Sequence, residues 1–593
     1  MNKFFTDLLK KYGNLFVLIL LFILLVACSW WLILPGLGVG HDLNHQARVF
    51  EMSIGLKEGV FPVIWSRNLT YGFGMPLFQF YAPLPYFFGG VMHLIGFDLA
   101  VSVKLMIVFA NILTILGSYF LGKEVFKDKW AAIITAAALT MAPYRAVDLY
   151  VRTAISEGWA IAFLTLVLLG VAEIVNKKRF GWILMSVSFA GLILSHNLTA
   201  LMSLPFIALF GIFYSFIQNG NWRNRARDVL KLLATGLVGL GLSAFYFIPA
   251  LAEKGFTKVE AYTLGNYYDF RQHFLYVRQF IKPWGKWEYG GSGWGPNDEM
   301  SFFLGYGQLL VLGLSVIPII LFLKKRKALQ KMTVLHVSIM MLTVFALALT
   351  LLKAQPIWEL ADFTAYFQFP WRLLAVAIIF ISLLAGSVYT FISKKFSWIY
   401  FLLVFMLLVI INNKYFKSEK NIDDSRKFSN YSTVVKTATS ENLFDYIPSN
   451  IIFLKKTPFA VFLDAEYSEL TLPANSLFNT YLEGTYHPEI LLDNSTKKVF
   501  NINMTGKTMM NMNIAYYPGW TVRVDGTVVE TIHDEYGFLR FPLEQGKHQV
   551  IVQLEDTPVR FWSKIISLIT VTLTILFFFF QMLRKNLTLN NRK

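Results

Sequence analysis

Gly40-His41-Asp42-Leu43-Asn44-His45-Gln46-Ala47-Arg48 sets one carboxylate among two imidazoles and a guanidinium, just past the first long apolar run. Charge at the border of a lipid-solvated run is costly and usually marks a task. Asp42 in that setting suits a general base, which takes the proton of a hydroxyl while its oxygen attacks a sugar carbon. The competing reading makes Asp42 a helix-end residue, paired with Arg48 or with the dipole of a following helix. His41 and His45, four apart, could share a helix face with a metal, but His-Asp-x-x-His is not the zinc pattern and offers no third ligand.

A second cluster follows in Ala142-Pro143-Tyr144-Arg145-Ala146-Val147-Asp148-Leu149-Tyr150-Val151-Arg152-Thr153-Ala154-Ile155-Ser156-Glu157-Gly158. Arg145 and Arg152 are suited to bidentate contacts with phosphate oxygens. Asp148 or Glu157 could hold a divalent cation, magnesium or manganese, that neutralises a leaving phosphate. Internal pairing of these arginines with the two carboxylates is the structural alternative. Ser195-His196-Asn197 closes the fifth apolar run, with His196 as either a cap or a participant. Phe369-Pro370-Trp371-Arg372 opens the tenth, where Trp371 and Arg372 read as an interfacial anchor or as a contact to a lipid phosphate. Tyr268 to Phe274 adds Arg271 and His273. The Gly-rich stretch from Trp287 to Gly305 lacks phosphate-loop spacing and suits a rim that stacks on sugar rings, or a plain loop.

The elements that must position these residues are dictated by lipid. The chain has 593 residues, 55% of them hydrophobic and 15% charged, with a mean hydropathy of +0.50. A water-soluble chain could not hide that much apolar surface. About twelve runs approach the roughly 20 residues that a spanning helix needs: 14–34, 100–121, 130–147, 157–175, 180–196, 199–217, 229–250, 301–323, 333–352, 372–392, 397–413 and 561–582. The first is read as a spanning helix rather than a cleavable signal. The net charge of +17 comes from Lys and Arg gathered in alternate short loops, as in cytoplasmic loops, and no nucleic-acid partner is implied. Both termini are then expected in the cytoplasm, with every candidate residue on the outer side. Cys28 is the sole cysteine, so neither a disulfide within the chain nor a Cys-x-x-Cys metal site is available.

Between the first two spans, 36–99 is too apolar for a linker and is expected to form interfacial or partly inserted helices. From 414 to 560 the pattern turns polar and alternating. Tyr516 to Val529 reads as strand, Asp525-Gly526 turn, strand, and Gly546 to Leu554 as one more strand. The expected architecture is a polytopic α-helical membrane unit over 1–413, an extracytoplasmic β-sandwich over 414–560, and a last span with a cytoplasmic tail over 561–593. No Gly-x-Ser-x-Gly appears beside a plausible triad, and the spans carry no repeated mid-membrane charge of the transporter kind.

In its order of motifs the chain resembles the type C (GT-C) polytopic glycosyltransferases. More narrowly, it is similar to the bacterial YfhO-like membrane proteins and to a related group that carries the name of 6-pyruvoyl-tetrahydropterin synthase. The stretches that carry the likeness are His41-Asp42 to Arg48, Gly72 to Phe78, Pro143-Tyr144-Arg145 with Arg152 and Glu157, and Ser195-His196-Asn197. Gly290 to Phe302, Phe369 to Arg372, and Tyr516 to Trp520 with Asp525-Gly526 complete them. The resemblance implies an enzyme that moves a sugar from a polyprenyl-phosphate donor to a polysaccharide, teichoic acid or glycolipid acceptor outside the membrane. Asp42 maps onto the base and Glu157 or Asp148 onto a second acidic position. An upstream polyprenyl-phosphate glycosyltransferase and a flippase are the partners such a reaction implies. No pterin chemistry follows, because the histidine cluster of a pterin-synthase zinc site is missing. A lipid-carrier translocase and an envelope scaffold are the competing classes.

Overall fold

The computed structural model describes residues 3–38, 40, 44–70, 72–264, 266–283, 290–325, 331–419, 421–422, 446–451 and 488–590. Among them nine helices are long and apolar enough to cross a membrane. The other three apolar runs are helical too, but shaped differently. The third is a pair, Lys129–Thr140 and Pro143–Val151, bent by 46°. Pro143 opens the second half; it lacks the N–H that would continue the ladder. The fifth, Gly181–Ser195, and the eighth, Tyr306–Ile320, are shorter apolar helices.

Burial sorts the helices into an inner and an outer set. The Pro370–Phe391 span is 89% buried and Ile155–Val175 is 83% buried, whereas the final Pro558–Leu583 span is 6% buried. The inner set packs closely because its facing residues are small. Thr135 and its neighbours meet Gly122 on one side and Gly386 on the other. A Cβ on Gly122 would fall 3.0 Å from the Ala132 Cα, and one on Gly386 would fall 2.9 Å from the Ala131 carbonyl oxygen. The final helix instead leans chiefly on Trp222–Ala252, where Ser567 donates to the Gly241 carbonyl at 2.9 Å, and touches Gly181–Ser195 through Trp182, which donates to Gln581 at 3.1 Å. Its other faces carry exposed Phe, Leu and Ile, as lipid contact requires.

The first loop folds into helices His45–Lys57 and Pro83–Leu94, with a single helical turn, Leu77–Phe80, between them. None is long enough to span. Before the last helix lies an antiparallel unit of two sheets. One has five strands in the order Glu489–Asp493, Lys497–Met504, Gly546–Leu554, Trp520–Val524, Thr527–Val529. The other has three, in the order Thr508–Ala515, Phe538–Leu543, Ile532–His533. The Asp525-Gly526 turn adopts positive φ at both residues, 50° and 84°, and pairs Val524 with Thr527, the geometry that Asp-Gly favours. The remainder of the polar segment, 423–445 and 452–487, lies outside the described residues.

The β unit docks on the first loop. Ala515 N–H donates to the Phe73 carbonyl at 2.8 Å, and the Phe73 and Phe538 rings lie 4.7 Å apart. Arg67 donates to the Asp493 carboxylate at 2.8 Å, and Ser495 N–H to Glu58 at 2.7 Å. A buried pair ties the unit's exit to the bundle: Arg560 and Glu253 meet at 2.8 Å, and Tyr517 donates to the same carboxylate at 3.0 Å. The loops that follow alternate spans therefore meet at one end of the bundle.

Candidate active site at the loop end of the bundle

The bent third span ends in a π-helical turn, Val147–Val151, closed by Arg152 N–H donating to the Val147 carbonyl at 2.8 Å. One extra residue per turn, a feature frequent at functional sites, brings Asp148 and Arg152 together. Arg152 donates to Asp148 Oδ1 and, at 2.9 Å, to Glu157 Oε2. Glu157 stands in the first turn of the fourth span, and its Oε1 accepts from Tyr144 at 2.7 Å. Both carboxylates are buried, and Arg152 offsets the repulsion between them. Asp148 Oδ2 is buried with no hydrogen-bond partner. Between them Thr153 has φ 54°, a costly conformation for a β-branched residue of the kind that collects at active sites.

The tenth span begins over this cluster. Arg372 Nε lies 3.9 Å from Glu157 Oε2 and, although buried, has no hydrogen-bond partner. Its Nη1 donates to the Phe367 carbonyl at 3.0 Å and to Gln368 Oε1 at 3.1 Å. Gln368 has φ 60° and ψ −50°, a second strained residue at the same place. Two aromatic planes receive the guanidinium groups: Arg152 lies 4.6 Å over Trp371, and Arg372 lies 4.8 Å over Phe369. Those rings stack at 4.9 Å, and cations so placed are held by the ring quadrupole.

His196 caps the sixth span by accepting the Thr199 N–H at its Nδ1, 3.2 Å. Burial first, and then the charge of Arg372, hold its imidazole neutral, against the pull of Glu157. It is the near neighbour of these charges rather than a member of their hydrogen-bond network. His273 packs on Phe369 at 4.6 Å and shares Ser292 with Trp371. Arg271 stands apart: half-exposed, it donates to Glu359 at 2.9 Å and meets Asp269 at 3.3 Å. Arg145 is fully buried and serves the bundle, donating to the Thr140 carbonyl at 2.8 Å and to Asn111 at 2.7 Å. Both terminal nitrogens of Arg145, which the sequence offered as a phosphate contact, are thus engaged by bundle partners.

His41 and Asp42 lie outside the described residues. Their flanks are placed. His45 Nε2–H donates to the Thr153 carbonyl at 2.6 Å, and its Nδ1 accepts from Tyr86 at 2.8 Å. Arg48 donates to Tyr86 and to Tyr81, each at 3.1 Å. Gly40 is pressed against Thr153 so closely that a Cβ would collide with its side chain. Gly40 and His45 thus both meet Thr153, the residue that follows Arg152. Both His45 nitrogens are engaged in these bonds, which leaves none for a metal.

Among the described residues no group of three or more His, Cys, Asp or Glu could hold a metal ion. Arg152 lies between Asp148 and Glu157, the two carboxylates for which the sequence suggested a divalent cation. Tyr144, Thr153, Gln368 and Ser292 were given no site role from the sequence. No periodicity links them to the charges they touch; a Ser between glycines was the only local mark of Ser292.

Residues 78–419 match the family model described as 6-pyruvoyl-tetrahydropterin synthase related domain; membrane protein. Residues 479–554 match the model of the bacterial membrane protein YfhO. A Lactococcus lactis subsp. cremoris (strain MG1363) protein of uncharacterized function is 31% identical over 255 residues, which covers 41% of this chain and 40% of that one. Among solved structures, archaeal oligosaccharyltransferase AglB from Archaeoglobus fulgidus, in complex with an inhibitory peptide and a dolichol-phosphate, matches at a TM-score of 0.41 and 14% identity, over 70% of this chain and 57% of that one. Arabinofuranosyltransferase AftD from Mycobacteria matches at 0.41 and 12%, over 69% and 27%. ArnT from Cupriavidus metallidurans, bound to undecaprenyl phosphate, matches at 0.35 and 16%, over 66% and 62%. The chain thus spans less than two thirds of the length of each of these relatives. The first family model covers more than half of the sequence, including every charged residue of the cluster around Arg152, and this chain belongs to that family of membrane proteins related by name to 6-pyruvoyl-tetrahydropterin synthase.

Proposed function

We propose that this protein is an integral-membrane glycosyltransferase that moves a sugar from a polyprenyl-phosphate donor to a cell-envelope glycan or glycolipid. The observation that carries the reading is the buried Asp148–Arg152–Glu157–Arg372 cluster, whose two guanidinium groups lie on Trp371 and Phe369. Arg152 and Arg372, whose side chains are 12% and 10% exposed, and the fully buried Arg145 set three positive charges against two carboxylates, an excess that an anion would offset. Arg372 Nε, buried without a hydrogen-bond partner, is the donor best suited to that anion.

In this scheme the acceptor hydroxyl attacks the anomeric carbon, and Asp42 takes its proton. The bond between that carbon and the phosphate oxygen breaks, and its electron pair leaves with the lipid phosphate. Arg372 and Arg152 stabilise the departing charge in a site screened from water. The pinning of Gly40 and His45 to Thr153 supports Asp42 in the role of base. The donor carries its own activation, so no nucleotide is needed. A divalent cation, magnesium or manganese, is not routed into the scheme, since Arg152 fills the place between the carboxylates. The basic alternate loops support cytoplasmic termini in a plasma membrane, with the site and the β unit outside.

The test is transfer of radiolabel from a polyprenyl-phosphate sugar to envelope acceptor by the purified protein in nanodiscs, wild type beside Asp42→Asn. Wild-type transfer with a crippled variant is expected. Equal rates would remove Asp42 from the mechanism, and absence of transfer with every acceptor, alongside net movement of the lipid between leaflets, would favour a translocase.

A further inference from the structure

The loop between the seventh and eighth spans closes on itself from Gly290 to Glu299. Glu299 N–H donates to the Gly291 carbonyl at 3.1 Å, and its side chain accepts the Gly291 N–H at 3.2 Å. Inside that turn Asp298 Oδ1 accepts the Gly293 N–H at 2.8 Å, and Oδ2 accepts from Gln279 at 2.7 Å. Asp298 and Gln279 are each 6% exposed, so the carboxylate is a buried brace and not a solvated surface charge. Gly290 has no room for a Cβ against Glu299, and Gly295 has φ 93°; the glycines are what let the turn close this tightly.

Ser292, next to Gly293, is the one side chain of this turn that reaches Trp371 and His273. An indole N–H can only donate, and Trp371 Nε1 donates to Ser292 Oγ at 3.1 Å. A carbonyl can only accept, so His273 Nε2, which faces the Tyr267 carbonyl, carries the ring proton. His273 Nδ1 is then an acceptor, and the Ser292 hydroxyl donates to it at 2.7 Å. The direction of every bond is set: Trp371 to Ser292, Ser292 to His273, His273 to Tyr267. The Trp371 ring so fixed is the plane on which Arg152 lies.

We propose that Ser292 and Asp298 are positioning residues of the active site: Asp298 holds Ser292 in place, and Ser292 locks the Trp371 ring beneath Arg152 for as long as His273 is neutral. Only the activity arm of the test below rests on the glycosyltransferase reading. The groups that face His273 are the Tyr267 and Phe369 rings, Ser292, and the charges of Arg372 and Asp269. Burial, the largest of these influences, and Arg372 depress its protonation, while the Tyr267 carbonyl, Asp269 and the main chain of Ser292 oppose them. The latch is therefore closed at neutral pH. Protonating Nδ1 would leave the Ser292 hydroxyl proton without an acceptor in a buried place, which is unfavourable.

The experiment uses the full chain in nanodiscs with 5-fluorotryptophan. Fifteen tryptophans give the spectrum, and Trp371→Phe identifies the line that matters. That line is expected to move on acidification with a midpoint below the usual histidine value of about 6.5. It should be displaced and insensitive to pH in Ser292→Ala, restored in Ser292→Thr, and displaced in part in Asp298→Asn. Should Ser292→Ala fail to fold, Ser292→Cys, a weak donor and acceptor, carries the same comparison. A Trp371 line unchanged by loss of the hydroxyl would overturn the proposal. In the transfer assay Ser292→Ala should raise KM for the donor roughly tenfold, one hydrogen bond's worth, with Ser292→Thr near wild type. An active wild type with an equal KM in Ser292→Ala sinks the latch and leaves the transferase standing. A silent wild type whose Trp371 line behaves as expected does the reverse.

Discussion

The Arg152 guanidinium lies 4.6 Å over the Trp371 ring, although one residue joins the third span to the fourth and the other opens the tenth. The same guanidinium bridges Asp148 and Glu157. One cation thus holds two carboxylates, an aromatic plane and three helix ends together, so its loss should be felt in folding as well as in transfer.

Replacing Arg152 with Met would leave two buried carboxylates facing each other. Breaking a buried pair from one side typically costs about 3–5 kcal/mol. Arg152→Met should therefore unfold well below wild type in a thermal scan in detergent. Adding Asp148→Asn and Glu157→Gln should recover most of that loss while transfer stays absent. A triple variant no more stable than the single one would contradict this account of the cluster.

Asp42→Asn keeps the size of the side chain and removes its basicity. General-base catalysis typically contributes 10²- to 10⁴-fold, so the rate at saturating donor should fall by about that factor. Donor binding should be little changed. Initial rates at several donor concentrations separate the two effects.

Arg372→Gln removes a charge-assisted donor that the bundle uses only in part. Hydrogen bonds to charged groups are worth roughly 1.5–3 kcal/mol, about ten- to a hundredfold in affinity. Titration with a polyprenyl phosphate should show that weakening, and Arg271→Gln, which alters only a surface network, should not. Equal weakening by both would point to bulk charge rather than to a site.

In the β unit His548 Nδ1 meets Asp525 Oδ2 at 2.7 Å. The hydrogen bond that His548 donates to the Asp525 carboxylate raises the His548 pKa, and the same bond lowers that of Asp525. The raised histidine contributes stability that is complete below its unfolded pKa and fades as pH rises through its folded one. The depressed aspartate contributes stability above its own unfolded pKa and loses it as pH falls through its folded one. Thermal scans of wild type against His548→Gln should thus diverge most near pH 5–6, a window set by those reference values, and converge above pH 8. Because the pair is partly exposed, the divergence should be small and should shrink with added salt. A gap that widens with rising pH would reverse the sign of this linkage.

The twelve apolar runs were legible from residue order, because partition into lipid is summed over about 20 consecutive residues and needs no partner. The Asp525-Gly526 hairpin was legible for a similar reason: its left-handed turn is a local demand that few residue types meet. Pro143 was visible as a breaker, yet nothing local foretold the π-helical turn after it or the strained Thr153. Which charges would meet was a matter for the tertiary structure. Glu157 and Arg372, Ser292 and Trp371, and His45 and Thr153 are brought together by helices that pack through small residues, and no spacing in the chain encodes such a contact. For the same reason residue type alone ranked Arg145, Arg152 and Arg271 alike. Packing placed the first in the bundle, the second between two carboxylates and the third on the surface, because a guanidinium takes its role from whichever acceptors the fold brings within reach.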